Sequence, residues 1–125
     1  MAAFQSGYTS VGVYATGQTN AYRTAGGVNR TLCALAFEFS GNLYAANTDV
    51  NESVPGNVVV YAPNATSPTL TITNGIDNPV GIAIDSANNL YVLNTPQSEA
   101  SVSVYAQGQT APFETIFTSP IKRVL

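Results

Sequence analysis

Apolar positions in this chain come in short dense bursts instead of alternating with polar ones. VVVY at Val58 to Tyr61, GIAI at Gly81 to Ile84 and LYVL at Leu90 to Leu93 each carry apolar or aromatic residues at successive positions. The bursts are separated by SGN, SANN, PNATSP and QGQTAP. Those separators are turn material, and the Val, Ile, Tyr, Phe and Thr content of the bursts favours pleated strands. A strand wet on one face shows clean period-two patterning, so consecutive apolar positions predict strands covered on both faces. Helical periodicity of useful length is absent.

The bursts recur in order. SVGVYATGQT (Ser10 to Thr19), NVVVYAPNAT (Asn57 to Thr66) and SVSVYAQGQT (Ser101 to Thr110) place Tyr14, Tyr61 and Tyr105 at spacings of 47 and 44 residues. CALAFEFSGNLYAAN (Cys33 to Asn47) answers to VGIAIDSANNLYVLN (Val80 to Asn94). More loosely, SPTLTI resembles APFETI, and the final SPIKRVL resembles NPVGIAI at Asn78 to Ile84. Each period resolves into four strands: a (Leu35 to Phe37; Gly81 to Ile84), b (Leu43 to Ala46; Leu90 to Leu93), c (Val58 to Ala62; Val102 to Ala106) and d (Thr69 to Thr73; Phe113 to Phe117). Strands a and b are so close in sequence that they predict a tight hairpin.

Four-stranded sheets covered on both faces and recurring at this period are what a radial propeller requires. The predicted fold class is all-β, an incomplete β-propeller of four-stranded antiparallel blades. The chain reads as a single partial propeller domain over residues 1–125. Residues 8–27 supply strands c and d of an incomplete blade, 32–73 and 79–118 are complete blades, and 120–125 start a further one. Tyr44 and Tyr91 in strand b, with Tyr14, Tyr61 and Tyr105 in strand c, are large plates whose hydroxyls can reach a blade edge.

Pro79, Gly81, Ile82, Ala83 and Asp85, then Asn89, Leu90, Tyr91, Val92 and Asn94, then Val102, Val104 and Tyr105 form a recurring pattern. It resembles the six-bladed propellers built from NHL repeats and their relatives, the SMP-30/gluconolactonase-like and YVTN-type propellers. The first copy departs from the pattern with Leu32, Ala34 and Glu38. The resemblance covers about Ser10 to Leu125. It implies a ring of blades, with metal sites in some members. The histidine metal ligands of amidating-lyase members have no counterpart here, and no ligand of the SMP-30-like members carries over residue by residue.

Blade count poses a problem, because propellers typically need four to eight blades. An open blade face exposing about 400 Å² of apolar surface forgoes roughly 10 kcal/mol at about 25 cal/mol per Å², a loss comparable to the stability of a whole domain. The expected partners are therefore the missing blades of a longer propeller, of which this chain is a fragment, or a second copy in a homodimeric ring. Joining the two ends of the chain gives a hybrid blade that lacks strand b.

Composition narrows the chemistry. The chain has 125 residues, 45% hydrophobic and only 9% charged, so Asn, Thr, Ser and Gly must keep it dissolved. Its net charge of -3, with one adjacent basic pair at Lys122 and Arg123, argues against a nucleic-acid partner. No apolar run approaches a membrane span, and MAAFQSGYTS lacks the marks of a secretory signal. An extracellular location follows only if the chain belongs to a longer precursor. There is no histidine, which rules out a Ser-His-Asp triad and a His-rich zinc site. The lone Cys33, within LCALAF, reads as a buried small hydrophobe.

Glu38 and Asp85 stand at equivalent positions where strand a ends. A ring of such acids could hold a cation such as Ca2+ through oxygen ligands; otherwise each accepts hydrogen bonds in the following turn. Asn47 and Asn94 end strand b and are the candidates for a ligand or loop surface, or for bonding to backbone where b turns toward c. Asn42 and Asn89 read as left-handed turn residues. Asn29, Asn51 and Asn64 head N-glycosylation sequons in connectors. The expected role is non-enzymatic: a binding or scaffold module presenting polar blade-end loops to a protein or carbohydrate. The competing expectation is a hydrolase or lyase whose site forms in the channel of a complete ring.

Overall fold

A computed structural model describes residues 2–4, 10–13, 23–26, 31–48, 55–96 and 99–117. All regular elements among them are strands: β1 (Ala2–Phe4), β2 (Ser10–Val13), β3 (Arg23–Gly26), β4 (Thr31–Phe37), β5 (Leu43–Thr48), β6 (Asn57–Tyr61), β7 (Leu70–Ile72), β8 (Pro79–Ile84), β9 (Leu90–Asn94), β10 (Ser101–Tyr105) and β11 (Glu114–Phe117). They form two four-stranded antiparallel meanders, β4-β5-β6-β7 and β8-β9-β10-β11, and a three-stranded sheet β1-β2-β3. The all-β expectation of an incomplete, propeller-like array is met, and the sheets do not close into a barrel.

Predicted strands a to d correspond to β4 to β7 and β8 to β11, with ends that coincide or shift by at most four residues. β4 and β8 both begin earlier than the sequence suggested, because each contains a bulge that interrupts simple patterning. The register skips between Leu32 and Ala34 in β4 and between Pro79 and Gly81 in β8. The extra residues, Cys33 and Val80, occupy equivalent positions. Bulges bend a strand and increase its twist, so both sheets bend at the same place. Cys33 is consequently half-buried, not buried, and partial burial pushes its thiol pKa up.

The N-terminal sheet departs further from expectation. β2 and β3 fall where strands c and d were read, and β1 pairs antiparallel with β2 through Ala2↔Val13, Ala3↔Gly12 and Phe4↔Val11. β1 thus occupies the place of strand b. Its sequence, AAF, is too short to announce a strand by itself.

Register fixes which residues share a face. Tyr44 faces Val60 and Ala46 faces Val58 across β5 and β6, while Val58 faces Ile72 across β6 and β7. That face packs against Leu90, Val92 and Tyr105 of the last sheet and Ile76 of the linker. Leu43, Ala45, Val59 and Tyr61 lie on the opposite face with Leu35 and Ala65 packed against them, and they are also closed from solvent. All six positions of β5 are buried. Each fully buried Val or Leu contributes about 1.5–3 kcal/mol, so this middle sheet carries much of the stability.

Coverage of both faces fails for the last sheet. β9 alternates: Leu90, Val92 and Asn94 are buried while Leu93 is 39% exposed. Sequence shows which positions are apolar, and only a neighbouring sheet makes them buried. Among the described residues no sheet lies on the Leu93 face.

Between the two four-stranded sheets, the linker after β7 is fastened to β9 and β10. Tyr105 Oη donates to Asn74 O at 2.6 Å, and Ser103 Oγ to Gly75 O at 2.8 Å. Asn78, in left-handed geometry at φ 54, ties three segments. Its N–H donates to Pro55 O at 2.6 Å and its carbonyl accepts from Thr95 N at 3.0 Å. Its side-chain Oδ1 accepts from Thr48 Oγ1.

Burial raises the phenol pKa of Tyr61 to about 12 and of Tyr105 to about 12. Burial and then the Glu38 hydrogen bond push Tyr44 up as well. Neutral phenol is the form the fold stabilises. Its contribution is complete below the ordinary tyrosine pKa of about 10 and disappears as pH rises through the folded values. Phenolate absorbance followed against circular dichroism should show part of the tyrosine signal ionising together with loss of structure. A single titration near the ordinary value, with the fold intact, would contradict the burial of these rings.

Candidate functional site

Both four-stranded sheets present the same cluster at the hairpin joining their first two strands. In the last sheet Asp85 Oδ1 accepts from Ala87 N at 2.9 Å and Asn89 N at 2.9 Å. Its Oδ2 accepts from Asn89 Nδ2 at 3.2 Å and Tyr91 Oη at 3.0 Å. In the middle sheet Glu38 Oε1 accepts from Ser40 Oγ and Asn42 Nδ2 at 2.8 Å, and Oε2 from Tyr44 Oη at 2.7 Å. The shared motif is an acid, an asparagine four residues on and a tyrosine six residues on. A meander with a five-residue a–b turn brings all three to one edge.

These hydrogen bonds stabilise the charged carboxylates. For Asp85 the Asn89 backbone N–H is the chief cause of a lowered pKa. For Glu38, burial works to raise the pKa, but its four side-chain donors outweigh that and hold it below the usual carboxylate range. Glu38 is only 2% exposed. It also accepts from Gln107 Nε2 at 2.9 Å, in the β10–β11 turn of the next sheet. Glutamate in place of aspartate therefore serves a reach between sheets, which a lone sequence presents only as a departure from the repeat.

The turn roles of Asn42 and Asn89 need correction. Left-handed backbone falls on Gly41 (φ 101) and Asn88 (φ 65), one residue earlier, while Asn42 and Asn89 donate to the acids. Asn94 does bond backbone, and the groups it reaches come from the linker before β8. Its Oδ1 accepts from Asp77 N at 2.9 Å and its Nδ2 donates to Gly75 O at 3.2 Å, both in the linker behind it. Asn47 Nδ2 donates to Asn57 Oδ1 at 2.8 Å, whereas its buried Oδ1 has no partner among the described residues. The repeat equivalent of Asp77 is Arg30, outside the described residues. Asn64 sits in the β6–β7 turn with φ 66 and is exposed; Asn29 and Asn51 lie outside the described residues.

Beside the acid clusters lies a cleft of about 470 Å³ lined by Phe37, Phe39, Ile84, Asp85 and Ser86. Its walls are repeat equivalents from adjacent sheets: Phe37 matches Ile84 and Phe39 matches Ser86. Phe39 is 97% exposed, held by its turn while its N–H donates to Asn88 Oδ1 of the neighbouring sheet at 3.4 Å. Sequence reading passed over Phe39 because an aromatic in AFEF looks like strand core. The signal available was that its equivalent is serine.

Chemically, the cleft offers an aromatic ring, an apolar wall and one ionised carboxylate. Among the described residues no group of three or more His, Cys, Asp or Glu could hold a metal, and no helix is long and apolar enough to cross a membrane. No protein-family model matches the chain, and no curated protein matches it significantly.

Proposed function

We propose that this chain is a non-enzymatic binding module, a section or subunit of a larger propeller-like stack, whose ligand contacts come from the Phe37 and Phe39 cleft. The observation that carries the reading is Phe39, an aromatic ring held in solvent by a tight turn where the second copy has serine. With Phe37, 40% exposed and lining the same cleft, the ring forms an apolar patch whose burial by a bound partner would be favourable. Asp85 adds negative charge to the same wall, its oxygens being taken up by the turn. A ligand with an apolar face, or with a positive charge beside one, fits this combination, as a sugar ring or a basic peptide segment does.

The scaffold half of the reading draws on the saturated acids. Glu38 and Asp85 each spend both oxygens on hydrogen bonds that build the turn, which suits structural roles better than proton transfer. The NHL-like resemblance points the same way, toward blades as scaffolds for loops, and rests on analogy of fold.

The test is a titration of the labelled protein with neutral oligosaccharides and with Lys- and Arg-containing peptides, followed by amide chemical shifts. Perturbation is expected at Phe37, Phe39 and Ile84 to Ser86, and should vanish in Phe39→Ser. Shifts confined to other regions, or unchanged binding by the variant, would sink the assignment.

A further inference from the structure

From the chemistry of the cleft wall, we infer that its occupant is a quaternary ammonium group on an aliphatic stem, the head of a trimethylated lysine side chain on a partner protein. This rests on the cleft reading above and names the ligand class that reading leaves open.

The rings are set before any ligand arrives. Gly41 N–H donates to Glu38 O at 2.8 Å, so Phe39 is the second residue of a closed turn. The corresponding turn of the last sheet, closed by Asn88 N–H to Asp85 O at 2.9 Å, puts Ser86 in that position. Phe39 N–H reaches Asn88 Oδ1, which ties the root of the ring to the turn that carries Asp85. Phe37, two residues earlier, lines the same cleft. Aromatic rings held in water by fixed backbone attract a cation through their π faces, and little freedom is left for binding to remove.

Charge is the second observation. Asp85 accepts from Ala87 N, Asn89 N, Asn89 Nδ2 and Tyr91 Oη, which fills the lone-pair capacity of a carboxylate. Glu38, between the two phenylalanines in the chain, accepts from Ser40, Asn42, Tyr44 and Gln107. All these donors are neutral, and they keep both acids ionised. The rings are thus accompanied by negative charge that no lysine or arginine offsets among the described partners.

That combination separates ligand classes. A sugar hydroxyl needs a directional acceptor, the Asp85 oxygens have none to give, and an unpaired hydroxyl costs its desolvation. A primary ammonium brings three N–H donors and a tight hydration shell, so it meets the same shortage. A quaternary ammonium has no donor. It can pack its methyl groups on Phe37, Phe39 and Ile84 while the carboxylates act on its charge at a distance. A phosphate next to the head group would face the same negative charges, so the fit is to a side chain and not to phosphocholine.

Amide-shift titrations of the full chain test this with four probes: blocked trimethyllysine, blocked lysine, a blocked analogue with a neutral tert-butyl head, and phosphocholine. Trimethyllysine should perturb Phe37, Phe39 and Ile84 to Ser86, with a Kd about threefold or more below that of each other probe. Phe39→Leu keeps apolar bulk without the π face, so it should raise the trimethyllysine Kd about threefold and leave the tert-butyl analogue unchanged. High salt should likewise weaken trimethyllysine alone, a check that needs no variant. Equal affinity for the neutral analogue or for lysine overturns the inference, as does phosphocholine binding as tightly as trimethyllysine. Oligosaccharide shifts at these residues without trimethyllysine shifts would reject the quaternary ammonium and keep the cleft; no shift there with any probe would reject both.

Discussion

Replacing Glu38 by alanine should cost the fold about 2–4 kcal/mol, by analogy with lost hydrogen bonds to a charged, buried group. Tyr44 and Gln107 would each lose an acceptor, and Tyr44 is buried against the last sheet. Against a typical stability of about 5–15 kcal/mol, that is a large fraction, readable as a shift in the urea midpoint. Glu38→Asp separates two contributions. The shorter side chain can reproduce the Asp85 arrangement with Asn42 and Tyr44 but should lose Gln107, so Gln107→Ala should add little to it. Full additivity of the two changes would contradict the contact between sheets.

Acid sensitivity follows from the same carboxylate. Its folded pKa is depressed, so its stabilisation is present above the unfolded glutamate value of about 4.3 and is lost as pH falls through the lower folded value. Asp85 acts in the same direction. Glu38→Gln should flatten the loss of stability below that range, leaving the part due to Asp85. An unchanged pH profile would mean that Glu38 is not ionised in this network.

The second large effect is expected at Gly56, where the chain enters β6. Its φ of +90 disfavours any L side chain, and a Cβ there would run into the carbonyl oxygen of Asn47 and lie 3.0 Å from Pro79 Cδ. Neither neighbour can yield easily: one is backbone of β5, the other starts β8. Gly56→Ala should therefore destabilise by about 2–4 kcal/mol, combining backbone strain with a steric clash. Gly108→Ala is the control, since Gly108 has φ +76 with open space around it. It should show only the conformational part, about 1 kcal/mol. Equal losses at the two positions would argue against close approach of β6 and β8.

Most of the architecture was legible because it is written twice. NLYAAN and NLYVLN, with NVVVY and SVSVY, have matching turn chemistry on either side, and repetition turns weak strand signals into a reliable order. β1 was not legible, since three residues of AAF gain strand character only by pairing with β2. The roles of Asn42 and Asn89 were misjudged for a related reason. Asparagine at a turn can adopt left-handed backbone or donate to a nearby acid, and only the placement of Gly41 and Asn88 decides between them. Glu38 and Asp85 were found as a pair, but the partner that distinguishes them, Gln107, is 69 residues from Glu38. Phe39 shows the opposite failure, a hydrophobic residue whose environment is solvent.

The central claim is that successive copies fold as separate four-stranded sheets stacked with one polarity. Methyl-to-methyl nuclear Overhauser contacts test it most directly. The account predicts contacts from Val58, Val60 and Ile72 to Leu90 and Val92, with Leu43 and Val59 showing contacts to each other and none to Leu90 or Val92. Contacts from Leu43 or Val59 to Leu90, or none between the two groups, would show that the sheets meet by other faces or do not meet at all.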